Sequence, residues 1–181
     1  MATVIVLSDI HGNLAALEAV WRDISRRPFD ALFCLGDVAA FGPAPDECIT
    51  FLRDVVQPTA TVAGNTDRYL VDRSWESEPD AEPQRALAWA NGRLSDGGRA
   101  WLAALPATHK ATLGGVDVEL VHGAPGNDEL GIGPAYAGAR VAAAQSFDHD
   151  VVAPLFAQHG PGITFCGHTH IPWRVQFGEG G

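Results

Sequence analysis

Along the chain, short apolar runs rich in β-branched residues alternate with segments whose apolar positions recur every three or four residues. Thr3 to Leu7 is the first such run and predicts a strand; Leu14, Leu17, Val20, Trp21 and Ile24 then recur at helical spacing. Ala31 to Leu35 predicts a second strand. Pro43 to Val55 predicts a second helix, with proline at its entrance and Ile49, Leu52 and Val55 on one face. Thr59 to Ala63 predicts a third strand, and two successive strand–helix steps imply parallel strands joined by right-handed crossovers. Asp72 to Pro83 is acidic and carries Pro79 and Pro83, the pattern of an exposed loop, ahead of a helical region from Gln84 to Leu105. The second half turns to β-type segments: Ala107 to Leu113 and Val116 to Val121, on either side of Gly114-Gly115, predict an antiparallel hairpin. A weaker helical signal covers Val151 to Gln158, followed by a strand at Ile163 to Cys166 and a further segment at Trp173 to Phe177. No repeat or linker interrupts the pattern, so residues 1–181 are expected to form one domain.

Composition sharpens this picture. At 181 residues and 46% hydrophobic content, the chain can close one sizeable core. No apolar run approaches the roughly 20 residues a membrane-spanning helix needs, so no membrane association is expected. Met1 to Ser8 has neither a basic start nor a small-residue cleavage site, and Cys34, Cys48 and Cys166 are odd in number and set in apolar surroundings. Both features suit a cytoplasmic protein without disulfides. A formal charge of -10 leaves no broad basic surface for a long nucleic acid. A small phosphorylated substrate stays compatible with that charge, because bound cations can reverse the field inside one cleft.

The chemistry lies just past the strand ends. Each well-marked strand is succeeded at once by a short polar segment bearing glycine: Asp9-Ile10-His11-Gly12, Gly36-Asp37, Gly64-Asn65-Thr66-Asp67, His122-Gly123 and Gly167-His168-Thr169-His170. The carboxyl ends of strands in an α/β sheet face one crevice, so five segments spread over most of the chain can converge. They bring Asp9, Asp37, Asn65, His11, His122, His168 and His170, oxygen and imidazole donors without a thiolate. Such donors suit Mn first, with Fe, Zn, Ni or Co as alternatives. Seven ligands exceed the need of one ion and match two divalent ions that share a carboxylate, for which Asp37 is the natural choice because a carboxylate offers two oxygens. A pair of ions about 4 Å apart lowers the pKa of a shared water toward ~7 and stabilises charge on a phosphate during in-line displacement. Taken singly, each residue has an ordinary reading: Asp9 or Asp37 as a helix cap, Asn65 as a turn former, His122 as a structural imidazole. Their joint recurrence after strands argues for a site. His109, His149 and His159 read as surface or structural, and Trp21, Trp89 and Trp101 as packing residues.

In this order, the five segments resemble the calcineurin-like metallophosphoesterase superfamily, whose pattern runs D-x-H, G-D, G-N-H-D/E, H-G and G-H-x-H. The resemblance spans residues 9–170, and the stretches SDIHGNLAALEAV, CLGDVAAFGPAPDECI and GHTHIPW look most like its small bacterial and archaeal phosphodiesterase-type branch. It implies an α/β fold, a four-layer αββα sandwich of two mixed β-sheets. It also implies one ion held by Asp9, His11, Asp37 and His170 and a second held by Asp37, Asn65, His122 and His168.

Two departures from the pattern matter. The third motif normally carries a histidine that serves the scissile phosphate or the leaving group, and here that position is Thr66, a poor general acid near neutral pH. Hydrolysis should then favour acidic leaving groups, and the resemblance to small family members with a non-His residue there implies a phosphodiesterase acting on a small or nucleotide diester. Asp67 would lose its usual partner, Arg68 is a candidate to reach the phosphate, and His149 is a candidate for the missing acid. The second departure is that the sequence stops at Gly181, before the further strands and Asn-Pro-Gly-Ser-type segment of such relatives, so a sheet shortened at the C-terminus is expected, with a homo-oligomer as one way to cover its edge. The competing functions are a phosphomonoesterase or protein phosphatase of the same superfamily and a non-catalytic metal-binding scaffold. Arg73 to Pro83 and Gly123 to Gly138 are the loops expected to roof the site.

Overall fold

A computed structural model of the chain describes residues 2–77, 82–132, 156, 162–172, 174 and 176. It opens with β1 (Val4–Leu7), α1 (Leu14–Ile24), β2 (Ala31–Cys34), α2 (Pro45–Phe51), β3 (Ala60–Thr61) and α3 (Asn65–Asp72). It continues with α4 (Glu82–Asn91), α5 (Asp96–Ala103), β4 (Thr108–Leu113), β5 (Val116–Val121) and β6 (Ile163–Phe165). Among the described residues there are two sheets. In the first, β2 lies between β1 and β3 and all pairs are parallel, as the strand–helix alternation requires. The second is mixed: β4 and β5 form the expected hairpin, and β6 adds parallel to β5. Gly114 and Gly115, both at positive φ, close the hairpin where only residues tolerant of that hand fit a two-residue turn.

Alternation along the strands divides the apolar residues between two cores. Ala31, Phe33 and Leu35 point with Val4 and Val6 toward the second sheet, where they meet Val118, Leu120 and Phe165. Leu32 and Cys34 point the other way with Ile5 and Leu7, into a layer of helices that supplies Leu17, Ile49, Leu52, Leu70 and Leu102. The described residues therefore stack helices, first sheet and second sheet, three layers of the expected αββα sandwich. The helix read at Val151 to Gln158, Phe156 aside, lies outside the described residues, as does most of the C-terminal segment where a shortened sheet was expected.

Several boundaries differ from the pattern reading, each for a local reason. Asn13 caps α1, its side-chain oxygen accepting the Ala16 N–H at 3.1 Å. The inward stripe of that helix is Leu14, Leu17, Trp21 and Ile24, while Val20 falls off it at 41% exposed. The second helix begins at Pro45 and ends in a π-helical turn over Leu52–Val56. The wider turn shifts the register, so that Val55, expected inside, is 49% exposed and Val56 is buried in its place. The third strand keeps only two ladder residues because Ala63 leaves the sheet to donate to the Pro106 carbonyl at 2.9 Å. Gln84 to Leu105 is two helices: Ser95 breaks the run and caps α5 by accepting the Gly98 N–H at 2.9 Å. Trp89 stands outside the core at 42% exposed, with the Arg93 guanidinium 4.8 Å from its ring centre. All three cysteines are free thiols.

Candidate metal centre

The parallel order of the first sheet carries the ends of β1, β2 and β3 to one edge, and β5 with its parallel neighbour β6 delivers two more ends beside them. All seven side chains singled out from the loops meet there. Asp9, His11 and His170 form one close group and Asp37, His122 and His168 another. In the first, His11 Nε2 lies 3.0 Å from His170 Nε2, which is 3.3 Å from Asp9 Oδ1. In the second, His122 Nε2 lies 3.4 Å from Asp37 Oδ2 and 3.3 Å from His168 Nδ1, and His168 Nδ1 lies 3.0 Å from Asn65 Oδ1.

Asp37 sits between the groups. Its Oδ1 accepts the Thr66 N–H at 3.0 Å, while its Oδ2 faces His11 Nε2 at 3.7 Å as well as His122. A shared carboxylate was expected to offer both oxygens; here a backbone amide holds one and the other stands alone between the two groups.

The backbone that presents these side chains is strained. Asp9, His11, Asp37, His168 and His170 all have φ between 48° and 68°. Residues with a Cβ avoid this region, at a cost of roughly 1–2 kcal/mol each. Hydrogen bonds between the β1 and β2 loops enforce it: Asp9 N–H to the Gly36 carbonyl, His11 N–H to that of Asp37 and Gly12 N–H to that of Val38, at 3.1, 2.8 and 2.8 Å. The second-sheet loops join this frame through the Gly167 N–H on the His122 carbonyl at 2.7 Å and the His168 N–H on Asp9 Oδ2 at 3.1 Å.

Tautomer and charge decide what the arrangement can hold. The buried His122 ring donates its Nδ1–H to the Leu35 carbonyl at 2.7 Å, so the neutral ring turns a bare Nε2 lone pair toward Asp37 Oδ2. Acceptor then faces acceptor unless a proton or a metal cation lies between them. Asp9 Oδ1 and His11 Nδ1 are also buried without hydrogen-bond partners. Protons feel the same field: burial pulls His122 down, but Asp37 and Asp9 overcome it and push it up to about 9. Burial likewise opposes the ionisation of Asp9, which His170, Ser8 and His122 hold down at about 2. His11 and His168 are lowered mainly by burial, as metal-ligating imidazoles need to be. The donor set and its unanswered lone pairs fit divalent cations.

Asp67 and Arg68, read from the sequence as candidates for the reaction, sit on α3 in other company. The Asp67 carboxylate accepts the Val38 N–H at 2.9 Å and the Gly64 N–H at 3.1 Å, which ties the Asp37 loop to the start of α3. Burial and the nearby Asp37 push its pKa up to about 7. The Arg68 guanidinium pairs with Asp128 at 2.8 and 3.1 Å and with Glu129 at 2.7 Å. Thr66 Oγ is buried without a partner. His149 lies outside the described residues. Among the described residues of the two roofing loops, the stretch after His122 reaches the centre: Gly131 packs against the His168 ring so closely that an added Cβ would stand 3.1 Å from it. The sequence reading missed α3 itself, which starts at Asn65, and also Phe41, whose ring lies 5.2 Å from that of His11. The glycine before Asn65 and the acid at Asp67, two positions into the helix, were the available signals for α3.

A sequence profile described as calcineurin-like phosphoesterase matches residues 2–172. An uncharacterised protein of Methanocaldococcus jannaschii is 29% identical over 168 residues, 93% of this chain and 62% of that protein. A symmetrical bis(5′-nucleosyl)-tetraphosphatase of Actinobacillus pleuropneumoniae is 35% identical over 72 residues, 39% of this chain and 26% of that enzyme. A solved metallophosphoesterase from Sphaerobacter thermophilus superposes with a TM-score of 0.65 at 28% identity, covering 93% of this chain and 61% of the other. The chain thus spans about three fifths of the length of the first of these relatives and of that structure. With a profile match over nearly its whole length, and with the motif-bearing loops gathered at one sheet edge, the chain belongs to the calcineurin-like phosphoesterase family.

Proposed function

We propose that the protein is a hydrolase that uses two divalent metal ions to cleave a small phosphodiester or phosphoanhydride whose leaving group is acidic. The observation that carries this reading is the solitary Asp37 Oδ2 between two groups of inward-facing donors. Asp9, His11, Asp37 and His170 would hold one ion, and Asp37, Asn65, His122 and His168 the other. Bound there, a pair of such ions lowers the pKa of water toward ~7 and neutralises charge building on the phosphate oxygens. The chain's own residues do the positioning. The Leu35 carbonyl keeps the His122 lone pair aimed inward, and the Thr66 amide fixes the Asp37 carboxylate. Asp67 binds the Asp37 loop to α3 and is a positioning residue in this reading. A donor set without thiolate favours Mn, and three free thiols with a charge of -10 suit a cytoplasmic enzyme of small substrates.

Thr66 stands where a general acid would act, and its hydroxyl is no proton donor near neutral pH. The leaving group must then depart as a stable anion, as an aryl oxide or a nucleoside polyphosphate does. The partial likeness to a bis(5′-nucleosyl)-tetraphosphatase supports an anhydride substrate, because cleavage there expels an acidic phosphate. The test is hydrolysis of bis-p-nitrophenyl phosphate against p-nitrophenyl phosphate by Mn-loaded protein. Turnover should favour the diester and fall by more than roughly 100-fold in His122→Ala and Asp37→Ala, beyond the range usual for outer-shell partners. A preference for the monoester would instead indicate a phosphomonoesterase, and two ions bound without turnover of any phosphate ester or anhydride a scaffold.

A further inference from the structure

Phe41 lies in the loop between β2 and α2, and its conformation is unusual for an aromatic residue. Its φ is 73°, and the Gly42 N–H donates to the Ala40 carbonyl at 3.0 Å across it, closing a three-residue turn of the rare, strained hand. A bulky side chain at positive φ is an outlier that persists only where its surroundings enforce it. The enforcement is visible. Gly42 packs so tightly on the His11 carbonyl that a Cβ there would overlap it, the Ala44 N–H donates to the Gly12 carbonyl at 3.0 Å, and Ala39 and Ala40 are buried. With the backbone held against the His11 loop, the phenyl ring is thrown outward and remains 47% exposed, tilted 55° to the His11 ring at 5.2 Å. The other large apolar side chains exposed among the described residues stand on helices or at the starts of β5 and β6; Phe41 is the one in ring contact with a candidate ligand.

An exposed ring at this rim cannot serve the phosphate. It carries no donor, and its π face is negative. It can serve only the organic part that the phosphate carries, and a flat ring stacks best on another flat ring. We propose that Phe41 is a stacking platform that binds a planar ring of the substrate, a nucleobase, beside the metal centre; the inference rests on the phosphoesterase reading and narrows its substrates to nucleotides.

The experiment compares adenosine 5′-monophosphate with ribose 5-phosphate, which differ only by the base, in calorimetric binding to Mn-loaded wild type, Phe41→Ala and Phe41→Trp, with Mn content measured in each. Wild type should bind the base-bearing ligand more tightly. Phe41→Ala should weaken that ligand by about 10-fold and leave ribose 5-phosphate unchanged, and Phe41→Trp should retain the preference. Equal binding of the two ligands to wild type overturns the platform. Equal weakening of both in Phe41→Ala, or a loss of Mn there, overturns it as well and makes Phe41 a support for His11. Hydrolysis of bis-p-nitrophenyl phosphate is followed separately: base preference without turnover removes the enzyme reading and keeps the platform, and turnover without base preference does the reverse.

Discussion

Five candidate ligands held in the left-handed region concentrate the strain of this chain at one place. Such strain persists where the surroundings over-determine it, and it clusters at working sites. The glycines beside the ligands make the arrangement sterically feasible, Gly64 most plainly: a Cβ there would fall on the Asp37 carboxylate and its amide. Gly64→Ala should therefore displace Asp37 and lower Mn affinity by at least about 10-fold, read by equilibrium dialysis. Gly92→Ala, where a Cβ meets only ordinary contacts with Trp89 and Ala88, is the matched control and should bind Mn as wild type does. At the neighbouring position, Thr66 makes a kinetic statement. Across a series of aryl phosphodiesters, rates should fall steeply as the leaving phenol becomes more basic, because Thr66 does not protonate it. A flat dependence would mean that some other side chain acts as the acid.

At the scale of elements, α3 does two jobs from one short helix. Its first turn presents Asn65 to the centre and Asp67 to the backbone of the Asp37 loop, and Arg68 reaches the loop after β5. That loop is folded on itself by the Ala124 N–H on the Leu130 carbonyl and the Asn127 N–H on that of Ala124, both 2.9 Å, and its Gly131 leans on His168. Arg68 is thus a clamp between α3 and the roof of the site. Since Arg68 and Glu129 are part-exposed, Arg68→Ala should cost global stability only about 1 kcal/mol or less. Its sharper signature is faster hydrogen exchange at Ala124 and Leu130, with the core amides of β2 unchanged. Tyr69 and then Arg68 hold Glu129 below its ordinary 4.5. A depressed carboxylate stabilises fully above its unfolded value and loses that contribution as the pH falls through the folded one. The clamp should accordingly loosen below pH 4.5 in the wild type, and Glu129→Gln should weaken that dependence, with Asp128 still holding Arg68.

For the whole molecule, the centre is a seam between the two sheets. Asp9, Asp37 and Asn65 come from the first sheet's loops, and His122, His168 and His170 from those of the second. Ions bound there would cross-link the layers as well as serve chemistry. Free Mn at 100 times its dissociation constant should stabilise the fold by about 2.7 kcal/mol for each site filled, which at this size corresponds to a Tm raised by roughly 5–10 °C per ion over that of the chelated protein. Scanning calorimetry with Mn and with chelator measures it. Equal Tm values would mean that no ion binds the folded state selectively.

The parallel opening strands, the glycine hairpin and the five polar segments were legible in the sequence because they follow from period, turn chemistry and position after strands. The candidate donors were legible as a set for the same reason: segments that follow the strands of an α/β sheet share one edge and can converge there. Tertiary structure alone decided the rest. The π-helical turn that turns Val56 inward in place of Val55 answers to packing against the first sheet, which no local propensity encodes. The left-handed backbone at Asp9, His11 and Asp37 is imposed by hydrogen bonds between the β1 and β2 loops, which are distant in sequence and meet only in the fold. Asp37 was expected to offer both oxygens, but the Thr66 amide, delivered from beyond β3, occupies Oδ1 and leaves Oδ2 between the two donor groups. Phe41 carried no signal in the sequence; only the His11 loop, packed against its backbone, turns its ring outward beside the centre.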